Sequence, residues 1–422
     1  MNLPDYVTKI EGHGVLNIHF KECRARLEVT EGERLFEAVL LGQNATRAPF
    51  ITSRICGVCP TAHNLASILA VENALKIQPD EIIIELRKLM LSGQVIFSHL
   101  LHLFFLVLPD YYNVPSALKL ADKFPAEYHL ALNLKRLSDH LLTVVGGRPI
   151  HPTTTTVGGF IKYPAKGDLV TLQNEITDVL DEAADFVKIF MSIEYPEYRR
   201  ESEYLSLKND NYDLLGNTVI SSSGTQFEPK NYNALKEEIK ETVKDYSTAK
   251  FGSHKDKPFN VGAIARISLL GDMLNPKAKT LAGEFRPSSQ NHNNFENIKA
   301  QAIEMMHFLE EAEILIGKLL DVEIPEKPMA ISLPKLSEPT WGIGAVEAPR
   351  GTLYHAYEID TNGKIINADI VTPTVQNLTS IEADAEALLH ALKLDQKVQN
   401  ICVIELEKLI RAYDPCITCS VH

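Results

Sequence analysis

Four of the six cysteines form two Cys-x-x-Cys pairs at opposite ends of the chain. One pair lies in the segment RICGVCPTAH and the other in DPCITCSVH, and their positions are Cys56, Cys59, Cys416 and Cys419. One pair cannot close a metal site alone, whereas two pairs can supply four thiolates to one centre, as in zinc or iron–sulfur sites. Because the pairs are about 360 positions apart, only the complete fold would assemble such a centre.

Three other interpretations of the pairs stay open at this point. A structural zinc usually clips a local module whose ligand pairs lie tens of residues apart. Redox dithiols usually come singly near a βαβ pattern, which the sequence does not show. The pairs could also be unrelated buried motifs. If all four thiols serve one centre, only Cys23 and Cys402 remain, and any electrons must leave through another subunit.

The bulk composition is that of a globular protein, with 422 residues, 45% of them apolar and 23% charged. A net charge of −13 argues against nucleic acid as a partner. The longest apolar stretch, 95–108, contains two histidines and falls short of the ~20 apolar residues that a membrane span needs. The first residues lack the basic start and apolar run of a signal peptide. We therefore expect no transmembrane segment.

Periodicity predicts a mostly helical chain with two β-hairpins. Alternating apolar residues predict a first hairpin over 14–20 and 24–30, and a second hairpin over 351–372. Residues 200–260 are polar and rich in turns, which predicts a peripheral loop and strand region. Apolar residues at helical spacing, with proline or glycine near several of the ends, predict helices over 60–75, 79–110, 125–147, 296–320 and about 393–412.

The second hairpin makes a prediction about contacts. Asn362-Gly363 is the strongest short hairpin signal, and a two-residue turn pairs Thr361 with Lys364. In an antiparallel hairpin the numbers of any two paired residues have the same sum, which is 725 here. Arg350 would therefore lie opposite Val375. The hairpin would therefore bring 348–350 next to 372–374.

The two cysteine segments together resemble the signature motifs of nickel–iron hydrogenase large subunits. The first fits Arg-x-Cys-Gly-x-Cys-x-x-x-His and the second fits Asp-Pro-Cys-x-x-Cys-x-x-His. The segments EAPRG and DIVTPT are similar to the cytosolic, bidirectional, multi-subunit branch, which includes the archaeal-type sulfhydrogenases. The resemblance runs from KIEGHG to the last residue, apart from the divergent stretch around 200–260.

The resemblance implies an α+β, mostly helical fold, with a central long-helix bundle flanked by small β-hairpin regions. The expected division is a hairpin region, a helical core with the first cysteine pair, a peripheral α+β insertion, and a last part that contains the second hairpin, a C-terminal helix and the second cysteine pair. Their boundaries are 1–50, 51–200, 201–290 and 291–422.

By this resemblance the cysteines would hold a nickel–iron centre whose iron carries one carbon monoxide and two cyanides. Cys56 and Cys416 would be terminal nickel ligands, and Cys59 and Cys419 would bridge nickel and iron. Soft thiolates suit both metals. The segments APR and TPT resemble the two segments that bind the cyanides, so the cofactor-binding residues would include Pro349, Arg350, Pro373 and Thr374.

Further roles near the centre follow from the same resemblance. Asp414 would pair with Arg350, and Arg54 would help to offset the negative charge of the cluster. His63 would hydrogen-bond a bridging sulfur. Splitting of H2 needs a base, and both the thiolate of Cys416 and Arg350 are candidates.

Glu11, in KIEGHG, matches the proton-relay glutamate of the family. Its alternative interpretation is a surface carboxylate at the start of a strand. In the segment SHLLH, Ser98 stands where many relatives have an aspartate. The acid that pairs with Arg350 would then be weaker, or Asp414 alone would supply it. His99 and His102 are expected to be buried core histidines rather than ligands.

A second metal site is expected near the C-terminus. Glu37 and His422 match the residues that hold a divalent cation there, and the carbonyl of Ile370 would complete the site. Oxygen ligands with a single imidazole suit magnesium, although iron is an alternative. The alternative role of Glu37 is a solvated helix carboxylate.

The expected partners of the chain follow from these assignments. They are H2, an iron–sulfur small subunit packed near the Cys56–Cys59 loop, and a diaphorase or other electron-transfer subunits, and iron–sulfur clusters would lie only in partner subunits. Nickel-insertion proteins and a maturation endopeptidase that removes residues after His422 are also expected, as is a cytoplasmic location. Two rival functions are the quinone-site subunit of respiratory complex I, which lacks the cysteines, and a zinc-stabilised assembly protein.

Overall fold

A bundle of four long helices forms the centre of the protein in a computed structural model. The structure describes residues 2–208, 211–229, 231–325, 327, 334–392 and 399–422. The α-helices are α1 Phe36–Leu40, α2 Ala48–Thr52, α3 Pro60–Leu75, α4 Glu81–Leu100, α5 Leu108–Tyr111, α6 Leu120–Lys123, α7 Pro125–Gly146, α8 Lys166–Met191, α9 Tyr232–Glu238, α10 Ala263–Leu270, α11 Pro276–Ala282, α12 Glu296–Asp321, α13 Pro373–Ala391, α14 Gln399–Ala412 and α15 Ile417–Ser420.

Small sheets surround the bundle. The strands are β1 Asn2–Tyr6, β2 Gly14–His19, β3 Arg24–Val29, β4 Thr155–Thr156, β5 Gly159–Phe160, β6 Glu203–Lys208, β7 Thr218–Ser221, β8 Gln226–Phe227, β9 Ile239–Val243, β10 Lys250–His254, β11 Phe259–Asn260, β12 Thr340–Ala348, β13 Gly351–Ile359 and β14 Ile365–Val371. They form the sheets β1-β2-β3, β4-β5, β10-β9, β11-β6-β7-β8 and β12-β13-β14. With 52% of the chain helical, the predicted mostly helical α+β fold is confirmed.

The bundle consists of α4, α7, α8 and α12. Each helix packs against the next in this order, and α12 packs against α4. Their contact faces are mainly apolar and buried, as the period of the sequence predicts for core helices. The structure contains two long helices, α8 and α13, and several short ones in addition to the predicted helices. The last predicted helix corresponds to α14, and residues 393–398 of that prediction lie outside the described residues.

The predicted helix over 79–110 is one nearly continuous helical segment with an irregular turn. α4 passes into a π-helical stretch, Leu101–Val107, before α5 follows. The combined segment is long and apolar enough to cross a membrane by length and composition, and 78% of its most apolar window is buried inside the protein. The burial is that of a core helix, because α7 and α12 cover it.

Helix α3 lies directly on the sheet β12-β13-β14, which the sequence predicted only as a hairpin. Two glycines of β12 make this contact possible. A Cβ atom on Gly344 would lie 1.9 Å from the carbonyl oxygen of Ala66, and one on Gly342 would lie 2.1 Å from that of Ala70. The close packing fixes the start of α3, and with it the first cysteine pair, against the strand that leads to Arg350.

The predicted register of the second hairpin is confirmed along most of its length. The pairs from Tyr354–Val371 to Glu358–Asn367 sum to 725. The predicted two-residue turn is wrong, because the register shifts after Glu358 and Asp360 closes a longer turn. The predicted pairing of Arg350 with Val375 is also wrong, because Pro373 starts α13 and ends the ladder.

Candidate metal centre

The two cysteine pairs meet in the interior of the protein. The Sγ atoms of Cys56 and Cys416 are 3.5 Å apart, and so are those of Cys59 and Cys419. All four sulfur atoms lie within 4.8 Å of one another, and all four residues are buried. The fold therefore presents four thiols, from segments at opposite ends of the chain, to a single point.

Each pair is held at the start of a helix. Cys59 is the residue before α3, and the backbone N–H groups of Val58 and Cys59 point at the sulfur of Cys56, at 3.2 and 3.4 Å. Cys416 is the residue before α15, and its N–H donates to the Thr374 hydroxyl at 2.9 Å. Backbone N–H groups that point at a sulfur stabilise its thiolate form.

Burial and mutual repulsion oppose the ionisation of all four thiols at once. Hydrogen bonds from the other three thiols hold the pKa of Cys56 well below its usual value. Burial raises the pKa values of Cys416 and Cys419 well above the usual value, and neighbouring thiolates contribute in the same direction. Four thiolates at this distance repel one another in a dry site, so full ionisation requires bound metal.

A buried guanidinium faces the same cavity as the thiols. Arg350 donates from Nε to the carbonyl oxygen of Asp414 at 2.6 Å and from Nη2 to the Asp414 carboxylate at 2.8 Å. Its Nη1 is buried and has no hydrogen-bond partner among the described residues. Burial alone would lower the pKa of Arg350, but Asp414 and the cysteines raise it well above the usual value. Arg350 thus stays charged and has one donor group free.

A second buried arginine, absent from the sequence-based predictions, positions the segment before Arg350. Arg266 donates to the carbonyl oxygens of Ala348 and Pro349, both at 3.0 Å. Its guanidinium is itself held by the carboxylates of Glu304 and Glu347. The available sequence signal was a single charged residue among apolar ones, Arg266 on α10 and Glu304 on α12, since such residues are almost never buried without partners.

The cavity between the thiols and Arg350 brings together most of the predicted cofactor-binding residues. Its wall is formed by Cys59, His63, Ala348, Arg350, Leu353, Pro373, Thr374, Cys416 and Cys419. The Thr374 hydroxyl accepts the Cys416 N–H, a bond that does not use the hydroxyl proton. Pro349 contributes through its carbonyl oxygen, which anchors Arg266.

His63 lines the cavity, and its Nδ1 lies 3.0 Å from Nε2 of His355. The other ring nitrogen of His355, Nδ1, lies 2.6 Å from the Tyr357 hydroxyl. Burial lowers the pKa of His63 to about 3, so its imidazole is neutral. The hydrogen bond to a bridging sulfur stays a prediction, and the contact that the structure shows is with His355.

The contacts of Arg54 are with its neighbours in the chain, and its predicted role in offsetting the charge of the cluster stays a prediction. Its guanidinium stacks 3.6 Å over the Phe50 ring and donates to the Ser53 hydroxyl at 2.8 Å. Burial and the nearby Arg148 lower its pKa. The buried charge beside the thiols is that of Arg350.

Glu11 reaches the second cysteine pair. The Cys416 thiol donates to Oε2 of Glu11 at 2.9 Å, and the Thr418 N–H donates to the same atom at 3.1 Å. Gly12 has a φ of +90°, and a Cβ atom there would lie 2.8 Å from the Cβ of Ile417. A glycine is therefore needed at this position, because a side chain would be strained and would clash with α15.

The residues of the predicted second metal site also meet. His422 Nε2 lies 3.6 Å from Oε1 of Glu37, and the backbone N–H of Ile370 donates to Oε1 at 2.9 Å. His422 Nδ1 lies 2.8 Å from the carbonyl oxygen of Cys419. The resemblance predicts the carbonyl oxygen of Ile370 at this site, whereas the group that contacts Glu37 is its N–H.

The histidines of the segment SHLLH are buried, as expected of core histidines. His99 Nε2 lies 2.8 Å from the carboxylate of Glu304, and His102 contacts Gln301 and the carbonyl oxygen of Arg411. The Ser98 hydroxyl is buried and has no partner among the described residues.

Comparison with known proteins agrees with this site. A family model described as nickel-dependent hydrogenase matches residues 34–127 and 200–422, which is more than half of the chain. The chain is 35% identical to the alpha subunit of sulfhydrogenase 1 from Pyrococcus furiosus, in a match that covers 99% of this chain and 97% of that subunit. The chain belongs to the nickel-dependent hydrogenase family.

Other hydrogenases show the same likeness. The chain is 29% identical to one subunit of the F420-non-reducing hydrogenase from Methanothermobacter marburgensis, over 99% of this chain and 93% of that protein. The crystal structure of an NAD+-reducing NiFe hydrogenase in the H2-reduced state has the same fold, with a TM-score of 0.85 at 24% identity, over 100% of this chain and 99% of that one. The reduced NiFeSe hydrogenase of Desulfovibrio vulgaris Hildenborough gives a TM-score of 0.77 at 24% identity, over 100% of both chains.

The protein is therefore the large, catalytic subunit of a NiFe hydrogenase, an enzyme that interconverts H2 with protons and electrons. The donor set fits a nickel–iron centre, because soft thiolates suit nickel and iron and all four converge on one point. The four thiols exclude the predicted rival from complex I, whose quinone-site subunit lacks them.

Proposed function

We propose that Cys56 and Cys416 are terminal ligands of nickel, and that Cys59 and Cys419 bridge nickel and iron. When bound, the centre supplies the redox chemistry that converts H2 into two protons and two electrons. The observation that supports this assignment is the unpartnered Nη1 of Arg350 at the cavity that the thiols line. A guanidinium N–H and the Thr374 hydroxyl are suitable donors for the nitrogen atoms of iron-bound cyanides, with Pro349 and Pro373 in the same two segments.

The chain's own residues then accept and move the proton. Arg350 is a poor base, because Asp414 and the thiols hold its pKa well above the usual value. The Cys416 sulfur is the better candidate, since it contacts Glu11 at 2.9 Å. A carboxyl group can accept a proton on one oxygen and release it from the other, so Glu11 would carry the proton from Cys416 towards solvent.

We further propose that a divalent cation, magnesium or iron, binds between Glu37, His422 and Ile370. A buried imidazole beside a carboxylate supports this proposal. Binding would replace the direct contact between His422 and Glu37. It would also require the Glu37 carboxylate to rotate, since its Oε1 accepts a hydrogen bond from the Ile370 N–H.

The partners are proposed from the resemblance and from the relatives. An iron–sulfur small subunit would take the electrons, because no four-cysteine set other than the metal centre is found within the described ranges. The sulfhydrogenase and F420-non-reducing relatives are single subunits of larger hydrogenases, which supports a multi-subunit enzyme. The cytosolic branch, the cytoplasmic location and a diaphorase or other electron-transfer subunit are proposed from the resemblance of the motifs alone. Nickel-insertion proteins and a maturation endopeptidase would complete the centre.

Metal analysis of the purified complex, combined with H2-dependent reduction of a viologen dye, tests the proposal. We expect nickel in a 1:1 ratio to this chain and H2 oxidation by the complex. A complex that holds one zinc and no nickel per chain would instead support the zinc-stabilised assembly protein. The isolated chain, free of iron–sulfur clusters, should not reduce a physiological acceptor with H2, and such a reduction would refute the role of the small subunit.

A further inference from the structure

A chain of hydrogen bonds runs from Arg350 into the helix bundle through groups that the proposed reaction does not use. The Asp414 carboxylate accepts from Arg350 at 2.8 Å with Oδ1, and from the Gln301 side-chain amide at 3.2 Å with Oδ2. The other end of the Gln301 amide lies 2.5 Å from Nδ1 of His102. His102 Nε2 lies 2.6 Å from the carbonyl oxygen of Arg411.

The direction of each bond is fixed by its neighbours. Arg350 only donates, so Oδ1 of Asp414 accepts, and the guanidinium charge at 2.8 Å favours the ionised carboxylate over the neutral acid. A carboxylate has no proton to give, so the Gln301 group that faces Asp414 must be the NH2. Turning the amide over would set its oxygen against the carboxylate oxygen at 3.2 Å, without a proton between them. The Gln301 oxygen therefore faces His102.

Both nitrogens of the His102 ring thus face acceptors. One acceptor is the amide oxygen of Gln301 and the other is the backbone oxygen of Arg411. A neutral imidazole carries one N–H and would leave two bare acceptors facing each other at its second nitrogen. The direct contacts of 2.5 and 2.6 Å leave no room for a bridging water to supply the missing proton. Only the doubly protonated ring satisfies both contacts.

His307 provides a comparison in the same protein. It is also buried, and it lies on α12 as Gln301 does. Its Nδ1 accepts the backbone N–H of Asn275 at 3.1 Å, while its Nε2 lies 2.8 Å from the carbonyl oxygen of Tyr212. One nitrogen faces a donor and the other an acceptor, so His307 is neutral with its proton on Nε2. Burial lowers its pKa to about 4, which agrees.

We infer that His102 is a buried imidazolium which, through Gln301, positions the Asp414–Arg350 pair at the metal centre. The charged residues nearest to His102 along this chain of hydrogen bonds are Asp414, beyond Gln301, and Arg411, whose guanidinium donates to Asp110 and Glu407. The imidazolium fixes the orientation of the Gln301 amide, and the amide in turn keeps Asp414 an acceptor. His102 and Gln301 are positioning residues, and the inference concerns the site of the proposed reaction.

Neutron diffraction from deuterium-exchanged crystals of the wild-type holoenzyme tests the charge state directly. We expect deuterium on both ring nitrogens of His102 and only on Nε2 of His307. One bare nitrogen at His102 would overturn the inference. If the same preparation oxidises H2, that outcome leaves the proposed function intact, whereas a preparation without nickel or H2 turnover would contradict the function itself.

Variants of the holoenzyme test the positioning role. His102→Gln should lower kcat for H2 oxidation about 10- to 100-fold, the range for groups that orient metal-site residues, and should shift the cyanide bands in the infrared spectrum. Gln301→Leu should give the same loss, and the double variant should be no worse, because both interrupt one chain. His102→Lys, which restores a charged donor, should recover part of kcat.

His307→Gln is the matched control and should leave kcat and the infrared bands near wild type. A His102→Gln variant that behaves like His307→Gln would overturn the positioning role, and so would additive losses in the double variant. If His102→Gln does not fold, Gln301→Leu carries the same comparison, because it leaves both His102 and the Arg411 carbonyl in place.

Discussion

The two predicted metal sites of this protein differ in whether the chain itself compensates their charged groups. At the thiol cluster, four mutually repelling sulfurs lie together and Nη1 of Arg350 has no partner among the described residues. At the C-terminal site, Glu37 and His422 lie 3.6 Å apart, and backbone groups satisfy both side chains. The first arrangement is complete only with a bound group, whereas the second is an ion pair that the chain can form alone.

This contrast indicates which site depends on its metal. A buried donor without a partner and buried thiols that repel one another when ionised both cost free energy, so they mark a place that favours a bound ligand. A carboxylate that already pairs with an imidazolium gains less from a cation, because the cation must displace the pair. We therefore expect changes at the thiols to abolish function and changes at Glu37 and His422 to act mainly on stability.

The largest effect is expected for Cys416→Ser in the holoenzyme. A hydroxyl is a poor replacement for thiolate at nickel, and it also removes the proton acceptor next to Glu11. H2 oxidation and H/D exchange should fall to background, as measured by dye reduction and mass spectrometry. Cys23→Ser, at a half-buried turn outside the cluster, is the control and should keep wild-type activity. Wild-type turnover in Cys416→Ser with nickel still bound would refute the ligand assignment.

Glu11→Gln should have the next largest effect. The amide keeps the shape and the Thr418 contact but cannot relay a proton, so turnover should fall ~10²-fold or more while metal content stays normal. Para/ortho-hydrogen conversion, which needs no exchange with solvent, should outlast H/D exchange with water.

Glu28→Gln is the control for this variant, because Glu28 contacts Asn17 on the neighbouring strand and not the thiols. Near-normal H2 oxidation and solvent exchange in Glu11→Gln would mean that the main proton path runs elsewhere.

A smaller effect is expected for Glu37→Gln. In the metal-free chain it leaves the buried His422 imidazole without its carboxylate, which should cost about 1–3 kcal/mol of the free energy of unfolding. Denaturant unfolding with and without added Mg2+ measures this loss, and the variant should also lose the stabilisation that Mg2+ gives. Glu33→Gln, at an exposed neighbouring position, serves as the control. Equal stabilisation of both variants by Mg2+ would rule out Glu37 as a ligand.

The smallest effect is a pH dependence of the C-terminal ion pair in the metal-free chain. Burial acts to lower the pKa of His422, but Glu37 raises it above 6.5, and His422 helps to keep that of Glu37 below 4.5. The contribution of His422 is complete below pH 6.5 and is lost as the pH rises through its folded pKa, and that of Glu37 is lost as the pH falls below 4.5.

Hydrogen exchange of α15 measures this dependence. Protection in the metal-free chain should be greatest between about pH 4.5 and 6.5. Added Mg2+ should restore protection above that range, because a metal ligand must be a neutral imidazole. Protection that rises steadily from pH 6 to 9 without Mg2+ would contradict the ion pair.

The sequence predicted the parts of the site that depend on local patterns. The cysteine spacing, the proline at the start of α3 and the hairpin alternation are local signals, and they placed Cys56, Cys59 and the 725 register correctly. The predicted length of the turn was wrong because the Asp360 side chain accepts hydrogen bonds from the N–H groups of Asn362 and Lys364. These bonds stabilise a longer loop than Asn-Gly alone requires.

The contacts that join distant segments could not be read from such patterns. Arg266 and Glu304 are charged residues that become buried only because α10, α12 and β12 meet. The choice between the N–H and the carbonyl of Ile370 also depends on tertiary packing, because Glu37 comes from a distant segment. A periodic apolar pattern predicts that a face is buried, but it does not say which polar group of a distant segment will meet it.

Infrared spectroscopy of the purified complex is the most direct test of the nickel–iron assignment, because protein groups do not absorb where metal-bound cyanide and carbon monoxide do. We predict one carbonyl and two cyanide bands, which shift when H2 is added. These bands should be absent from Cys416→Ser and retained in Glu11→Gln. A wild-type complex without such bands, holding one zinc per chain, would contradict the assignment of the four thiols to a nickel–iron centre.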